Sequence, residues 1–423
     1  MRKIKNILIL AGGDSTRFWP LTDKVVFPFL GTPLINYIIE AVSLYTSSII
    51  VVVHPNIEKK MKKIIDRKAL VIPQKQINLG MAGAILATKD IIKNEEVLII
   101  NGSDLLNFSF LSNFLKKVEN FPDLIITAKE MQDYFPGGYL KFDRNKKLFS
   151  IVEKPPPDKR PSFLVKLVVD YFLKPHLLIK KINQFKEKSD DLSDDLYEKA
   201  LTSLFKEAEK IEVFNYQGDF YSLKYPWQVL NLTFYFLSKI KKNYVGKNVL
   251  ISKKATIIEP VYLSDGVKIG DYAKVVGPTF IGKNSIIADY ALINKSHIGE
   301  DCLIGGYSEV TRSYLGNKVF LHRNYVGDSV LADKVLLGAG VVLANFRFDA
   351  QPISSFVDGK KVNTELLKFG AIIGKESKMG VNSASLPGIK IGSKTFIGPG
   401  EVIKKDIEDN KFIFNNKLEN NLV

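Results

Sequence analysis

The residues best suited to chemistry lie near the N-terminus, at residues 10–22, which read LAGGDSTRFWPLT and follow a short aliphatic run. Gly12 and Gly13 leave room for backbone N–H groups to close round a phosphate, and Arg17 could face negative charge that develops there. A tight strand–helix turn with a surface arginine is the simpler alternative. The residue types alone therefore leave both a phosphate-binding loop and an ordinary turn open.

A second candidate lies at residues 322–328, HRNYVGD, where polar side chains interrupt an aliphatic repeat. The pKa of an unperturbed imidazole lies near neutral pH, which suits His322 to general-base catalysis. A lone histidine in a repeating coil is otherwise a surface residue or part of a ladder of side chains. The other histidines, His54, His176 and His297, lack a surrounding polar constellation, and we interpret them as structural.

The elements that must position the first candidate alternate in type up to about residue 240. Short β-branched runs predict strands at residues 7–10, 48–53, 69–72, 97–100 and 124–128. Stretches with helical periodicity predict helices at residues 34–44, 57–65, 82–92 and 110–119. This alternation predicts an α/β domain with a doubly wound, mostly parallel sheet, in which ligands bind beyond the carboxyl ends of the strands.

After Tyr244 the pattern changes to a repeat of six residues. An aliphatic residue recurs at Ile269, Val275, Ile281, Ile287 and Ile293, and glycine follows many such positions. This repeat is typical of a parallel β-helix, with the aliphatic side chain inside and glycine allowing a positive φ at the corner. The phase breaks at residues 346–369, which predicts a loop projecting from the coils on the binding face.

Composition limits the class of protein. The 423 residues are 46% hydrophobic and 25% charged, which predicts a folded chain of two or three domains. The net charge of +15 comes mainly from dispersed lysines, a pattern more typical of solvated faces and anionic small substrates than of a nucleic-acid interface. The single cysteine, Cys302, fits a reducing compartment. We expect a soluble cytoplasmic protein with no membrane or nucleic-acid partner.

The run at residues 10–22 resembles the signature of the sugar-1-phosphate nucleotidylyltransferases. The resemblance continues at residues 31–35, Gln74, residues 80–84, 101–104 and 153–155. With the hexapeptide half it covers nearly the whole chain, and it is greatest to the archaeal type of bifunctional sugar-1-phosphate nucleotidylyltransferase/acetyltransferase. It implies a Rossmann-like nucleotidylyltransferase domain at residues 1–240, a left-handed parallel β-helix at 246–408 and a C-terminal tail at 409–423.

The resemblance also implies a reaction. A sugar-1-phosphate oxygen would attack the α-phosphate of an NTP or dTTP and release pyrophosphate, with Mg²⁺ as cofactor. The implied roles are catalysis by Arg17 and Lys24, nucleotide binding by Gly12, Gly13, Gln74 and Gly83, sugar-phosphate binding by Glu153 and Lys154, and metal binding by Asp104.

Several positions depart from the family pattern. Ser15 replaces a glycine, Lys24 matches the family lysine only across a small gap, and Ser103 precedes Asp104. Ser222 stands where a second metal-binding aspartate is usual, although a hydroxyl is a poorer Mg²⁺ ligand than a carboxylate.

The sugar-reading Asn-Ala-Gly is also absent, since residues 166–170 read KLVVD. Asp170 and Asp194 are the candidate substitutes. These departures keep open a regulatory or scaffold protein that binds nucleotide sugars without turnover.

The second candidate resembles the acetyltransferase half of the family, in which the histidine acts as general base on a sugar amine. The resemblance implies acceptor contacts by Tyr325 and Asn345, acetyl-CoA as donor and a trimer formed through the β-helix. Gln351 and Ser354 stand where the family has lysines. The leading hypothesis is an enzyme that makes a nucleotide sugar for cell-envelope polysaccharide, and an enzyme that only transfers acyl groups at His322 is the further alternative.

Overall fold

The computed structural model describes residues 2–188, 195–415 and 417–420. The chain forms two compact units, one of Met1–Asp14 with Pro33–Ser222 and one of Ser15–Thr32 with Leu223–Val423. The second unit therefore contains Arg17 and Lys24 as well as the hexapeptide repeats. The domain boundaries at residues 240, 246 and 408 stay predictions.

The first unit is built round a mixed sheet. The strands up to residue 222 are β1 (Ile4–Ala11), β2 (Pro28–Phe29), β3 (Thr32–Pro33), β4 (Thr46–Val53), β5 (Leu70–Pro73), β6 (Val97–Asn101), β7 (Asp104–Leu106), β8 (Leu124–Glu130), β9 (Gly138–Phe142), β10 (Leu148–Glu153), β11 (Leu164–Phe172), β12 (Ile211–Asn215) and β13 (Phe220–Ser222). The strand order in the sheet is β10-β9-β11-β6-β1-β4-β5, with β8 paired to β11 and β12 paired to β8. The five predicted strands correspond to β1, β4, β5, β6 and β8. Because β1 pairs in parallel with both β4 and β6, these aliphatic strands form the centre of the sheet.

Helices of this unit bury apolar faces against the sheet, and one helix lies in the second unit. They are α1 (Leu34–Val42), α2 (Glu58–Ile65), α3 (Gly80–Leu86), α4 (Lys89–Ile92), α5 (Leu111–Val118), α6 (Pro175–Lys188), α7 (Leu196–Leu204) and α8 (Gln228–Leu237). The helix predicted at residues 82–92 is interrupted between α3 and α4. There the Thr88 hydroxyl donates to the Ile85 carbonyl at 2.7 Å, so a side chain competes for a backbone acceptor of the helix.

The second unit is a parallel β-helix whose described strands form three sheets. The first sheet holds Tyr244–Val245, Val261–Leu263, Thr279–Ile281, His297–Ile298, Tyr314–Leu315, Val330–Leu331, Ala371–Ile373 and Ile389–Ile391; the second holds Leu250–Ile251, Lys268–Ile269, Ile286–Ile287, Leu303–Ile304, Phe320–Leu321, Leu336–Leu337, Lys378–Met379, Phe396–Ile397, Lys411–Phe414 and Lys417–Asn420; the third holds Thr256–Ile258, Lys274–Val276, Leu292–Asn294, Glu309–Thr311, Tyr325–Gly327, Val342–Leu343, Ala384–Ser385 and Val402–Ile403. The repeated aliphatic residues stack in register and form a buried core. The predicted fold class is confirmed.

The repeat glycines have a different role from the one predicted. Residues such as Tyr272, Asn284 and Tyr290 take the positive φ angles, whereas Gly282 does not. A Cβ built on Gly282 would lie 2.5 Å from the carbonyl carbon of Gly299 in the next coil. Glycines that follow the aliphatic positions, such as Gly282, are therefore required by the close approach of successive coils.

Two segments depart from the regular coils. The predicted projecting loop contains an antiparallel hairpin of Ser354–Val357 and Lys360–Asn363. Beyond residue 408, Lys411–Phe414 pairs in parallel with the preceding coil, and Lys417–Asn420 folds back against it. Within the described residues, every helix is too short or too polar to cross a membrane.

Candidate active sites

The predicted nucleotide loop and the predicted base-contacting residues come together in the first unit. A Cβ built on Gly12 would lie 2.0 Å from Gln74 Oε1, and one built on Gly83 would lie 2.8 Å from Gln74 Nε2. Gln74 is only 2% exposed, and Nε2 donates to the carbonyls of Gln76 at 3.0 Å and Gly80 at 2.8 Å. With both Nε2 hydrogens bound, Gln74 can offer a nucleotide its carbonyl oxygen as an acceptor.

A histidine interpreted as structural lies at the same loop. His54 Nδ1 accepts from the Asn56 N–H at 3.2 Å, so in the neutral ring the hydrogen is on Nε2, which lies 3.2 Å from Asp14 Oδ1. The two residues follow β4 and β1, which are parallel neighbours. Because residues that follow neighbouring parallel strands lie close together, the predicted strand order could have indicated the contact between His54 and Asp14. Beside it, Gly13 is exposed, and apart from its two chain neighbours no described residue has a heavy atom within 4 Å of a Cβ built there.

Asp104 and Ser222 face each other across two antiparallel strands, β7 and β13. Ser222 Oγ donates to Asp104 Oδ1 at 2.6 Å, and Asn101 Nδ2 donates to Oδ2 at 3.0 Å. The Gly102 N–H donates to the carbonyl of Leu10 at 2.8 Å, so this group begins beside the end of β1. The structure thus places Ser222 against the carboxylate that the resemblance assigned to the metal.

These residues can be tested for their fit to Mg²⁺. Mg²⁺ is commonly bound through one or two carboxylates, with substrate phosphates and waters completing its shell. Asp104 supplies a carboxylate, and the oxygens of Ser222 and Asn101 are neutral. In the described ranges no three His, Cys, Asp or Glu side chains are grouped to hold a metal ion. The residues present therefore fit a Mg²⁺ that shares its ligands with a bound nucleotide.

The predicted sugar-phosphate residues lie at the end of β10. Glu153 pairs with Gly138, and a Cβ built on Gly138 would lie 3.1 Å from Glu153 Oε2 and 4.0 Å from the Lys166 Cβ. Lys154 Nζ lies 3.4 Å from Glu153 Oε1, and both side chains are partly exposed. The absence of a side chain at Gly138 keeps open the space between Glu153 and Lys166.

Lys166 and Asp170, which stand in place of Asn-Ala-Gly, form a buried ion pair. Lys166 Nζ and the Tyr197 hydroxyl each donate to Asp170 Oδ2 at 2.6 Å. Burial raises the pKa of Asp170, with Lys166 and Tyr197 opposing the shift. Burial also raises the pKa of the neighbouring Glu198 to about 7. Asp170 is fully buried, whereas Asp194, the other candidate substitute, lies outside the described residues.

Arg17 and Lys24, the predicted catalytic cations, belong to the second unit. Arg17 is exposed in the middle of a 3₁₀ turn, Thr16–Phe18. Lys24 begins another such turn, Lys24–Val26, and is partly exposed. Along the chain, Arg17 follows Gly13 by four residues.

In the β-helix, the two residues predicted to contact the acceptor sugar, Tyr325 and Asn345, belong to one hydrogen-bond network. Asn345 Nδ2 donates to Asp328 Oδ2 at 2.5 Å and lies 3.2 Å from the Tyr325 hydroxyl. Arg312 binds Asp328 through two bonds, Nε to Oδ1 at 2.7 Å and Nη2 to Oδ2 at 2.8 Å. Sequence reasoning missed Arg312, although it lies one coil before Asp328 and the coil period could have predicted the contact.

His322 is exposed on the same unit. Its backbone N–H donates to Asn324 Oδ1 at 2.5 Å. In the described part of the chain, no hydrogen bond joins its imidazole to Tyr325 or Asn345. Its role, like that of the other predicted site residues, stays a prediction.

An α/β unit followed by a parallel β-helix is the fold expected of a sugar-1-phosphate nucleotidylyltransferase with a hexapeptide-repeat half. Comparison with known proteins agrees with this expectation. Residues 6–219 match the family described as Nucleotidyl transferase, and the chain belongs to this family. The chain is 32% identical over 96% of its length to 98% of the bifunctional sugar-1-phosphate nucleotidylyltransferase/acetyltransferase of Sulfurisphaera tokodaii. It is 30% identical over 96% of its length to 97% of the bifunctional protein GlmU of Methanocaldococcus jannaschii. A crystal structure of apo-UDP-glucose pyrophosphorylase covers 56% of the chain at 21% identity with a TM-score of 0.47, a likeness too weak to bear on function.

Proposed function

We propose that the protein transfers a nucleotidyl group from an NTP or dTTP to a sugar-1-phosphate, giving a nucleotide sugar and pyrophosphate. The observation that carries this proposal is the arrangement in the first unit: Gly12, Gln74 and Gly83 lie together, and Asp104 lies beside Ser222. Gly12, Gln74, Gly83 and Asp104 fall within the matched family segment, and Ser222 lies three residues beyond its end. The full-length relatives named for this reaction support it.

The reaction brings two anions together, so charge must be neutralised before attack. Backbone N–H groups at Gly12 and Gly13 bind the triphosphate, and Arg17 stabilises the charge of the leaving pyrophosphate. Glu153 and Lys154 orient the sugar phosphate. Mg²⁺, held by Asp104 and the substrate phosphates, supplies further neutralisation when bound.

A panel of NTPs and dTTP against hexose- and hexosamine-1-phosphates, with Mg²⁺, tests the proposal through pyrophosphate release. We expect turnover with at least one pair and its loss in Asp104→Asn. Binding of nucleotide sugars without pyrophosphate from any pair would instead favour the regulatory or scaffold alternative.

A second activity, acetyl transfer from acetyl-CoA to an amino sugar, is favoured by the network of Arg312, Asp328, Asn345 and Tyr325. It holds the Asn345 amide so that its Oδ1 can accept from an amine, with His322 as general base. A trimer through the β-helix, a cytoplasmic location and a role in cell-envelope polysaccharide belong to the same proposal. Acetyl-CoA consumption with amino-sugar phosphates tests this activity, and an unchanged rate in His322→Ala would exclude His322.

A further inference from the structure

The two residues that follow Arg17 are anchored within the second unit. Phe18 is fully buried and packs edge-on against Phe27, with ring centroids 5.8 Å apart. Phe27 in turn lies against Tyr314 of the β-helix at 4.9 Å. The next residue is also held, because Trp19 Nε1 donates to Asp409 Oδ1 at 3.1 Å. The exposed guanidinium is thus carried by a short turn that is fixed at its C-terminal end by two aromatic residues.

The Asp409 contact is part of the last turns of the β-helix. Asp409 Oδ1 also accepts from the Ser393 N–H at 2.6 Å, which ties it to the preceding coil. Lys390 Nζ lies 4.8 Å from the centroid of the Trp19 ring and 3.3 Å from Asp406 Oδ2, and Lys390 is only 4% exposed. A buried ammonium over an indole ring is an attractive cation–π contact. Trp19 is therefore bound through both its N–H and its ring face.

We propose that Asp409 is a positioning residue for nucleotidyl transfer, which acts by holding Trp19 and, through it, the turn that presents Arg17. This inference rests on the proposed function, because Arg17 has a catalytic role only if the chain transfers nucleotidyl groups. It gives the start of the C-terminal tail a role in a reaction whose other predicted residues lie within the first 154 positions. No substrate contact by Asp409 is involved.

The test compares four variants of the full chain. Trp19→Phe keeps an aromatic ring but removes the indole N–H together with the second ring. Asp409→Ala removes only the acceptor, whereas Asp409→Asn keeps an acceptor oxygen. Asp289→Ala is the matched control, because Asp289 Oδ1 accepts from the Asp271 N–H at 2.8 Å in the same type of coil contact. The measurements are kcat and KM for pyrophosphate release, and hydrogen exchange of the backbone at residues 15–23.

We expect Trp19→Phe and Asp409→Ala to lower kcat/KM about tenfold, since small displacements of a charged catalytic group are costly. Both should increase exchange at residues 15–23, while Asp409→Asn and Asp289→Ala stay near wild type. Wild-type rate and protection in Trp19→Phe, or an equal loss in Asp289→Ala, would overturn the proposal. If the wild-type chain transfers no nucleotidyl group, the proposed function itself is wrong. If the wild type is active and Trp19→Phe and Asp409→Ala behave like it, only the proposed role of Asp409 is wrong.

Discussion

At the scale of single residues, Asp104 and Ser222 are expected to contribute unequally to Mg²⁺ binding, because only Asp104 carries a charge. Asp104→Asn removes the only carboxylate of the pair, and we expect kcat/KM for pyrophosphate release to fall by about 10²–10³. Ser222→Ala keeps the carboxylate and removes one hydrogen bond to it, so the loss should be about tenfold or less. Steady-state kinetics at saturating Mg²⁺ measure both. Equal losses in the two variants would contradict the assignment of the metal to Asp104.

Gly83 and Gly13 give a matched pair of substitutions. Gly83→Ala places a Cβ 2.1 Å from the Gln76 carbonyl oxygen, so the loop that holds Gln74 must move. We expect KM for the nucleotide to rise at least tenfold, because a buried backbone contact cannot relax without displacing the base site. Gly13→Ala meets open space and should leave the folded structure unchanged by circular dichroism. If Gly83→Ala binds nucleotide as well as wild type, Gln74 and Gly83 do not form the base site.

At the scale of the element, the first sheet of the β-helix contains a stacked ladder in which His297 lies between Phe280 and Tyr314, with centroids 4.9 and 4.4 Å away. Burial lowers the pKa of His297 to about 4, from 6.5 when unfolded. Between these two pKa values, His297 is protonated in the unfolded chain and neutral in the folded chain. The free energy of unfolding therefore falls as the pH drops from 6.5 towards 4. The expected loss from this residue is about 3 kcal/mol.

Urea unfolding of wild type and His297→Phe at pH 7 and pH 4.5 measures this effect. The variant should lose less stability on acidification, because phenylalanine fits the ladder and carries no titrating group. His176→Gln, at an exposed position, is the control and should behave as wild type. A wild-type dependence on pH in His297→Phe would show that other groups are responsible.

These elements also show what the sequence could predict. The hexapeptide period predicted the buried ladder of Ile269 and Ile287, because neighbouring coils repeat the same register. Alignment with the family motif gave Ser222 the position of a second metal-binding aspartate, and in the structure Ser222 donates to Asp104. The contact of Trp19 with Asp409 joins residues 390 positions apart, and no local pattern encodes it. The hairpin within residues 346–369 was likewise missed, since its strands pair with each other outside the repeat.

At the scale of the whole molecule, the fragment 1–240 would lack the β-helix residues that bind the segment carrying Arg17. Tyr314 packs against Phe27 and donates to the Pro28 carbonyl at 3.0 Å, and Asp409 binds Trp19. We expect the fragment to transfer nucleotidyl groups at least 100-fold more slowly than the full chain, even where circular dichroism shows a folded α/β domain. Full activity in the fragment would show that the first 240 residues position Arg17 by themselves.

The central claim is that one chain joins a nucleotide to a sugar-1-phosphate. Phosphorus NMR of a single reaction with Mg²⁺, the NTP and the sugar-1-phosphate that release pyrophosphate together observes the new bond directly. The account predicts the coupled pair of resonances of a nucleotide sugar diphosphate, in equal amount to pyrophosphate, and their absence with Asp104→Asn. Pyrophosphate without the diphosphate product, or no change from folded wild-type protein, would contradict it.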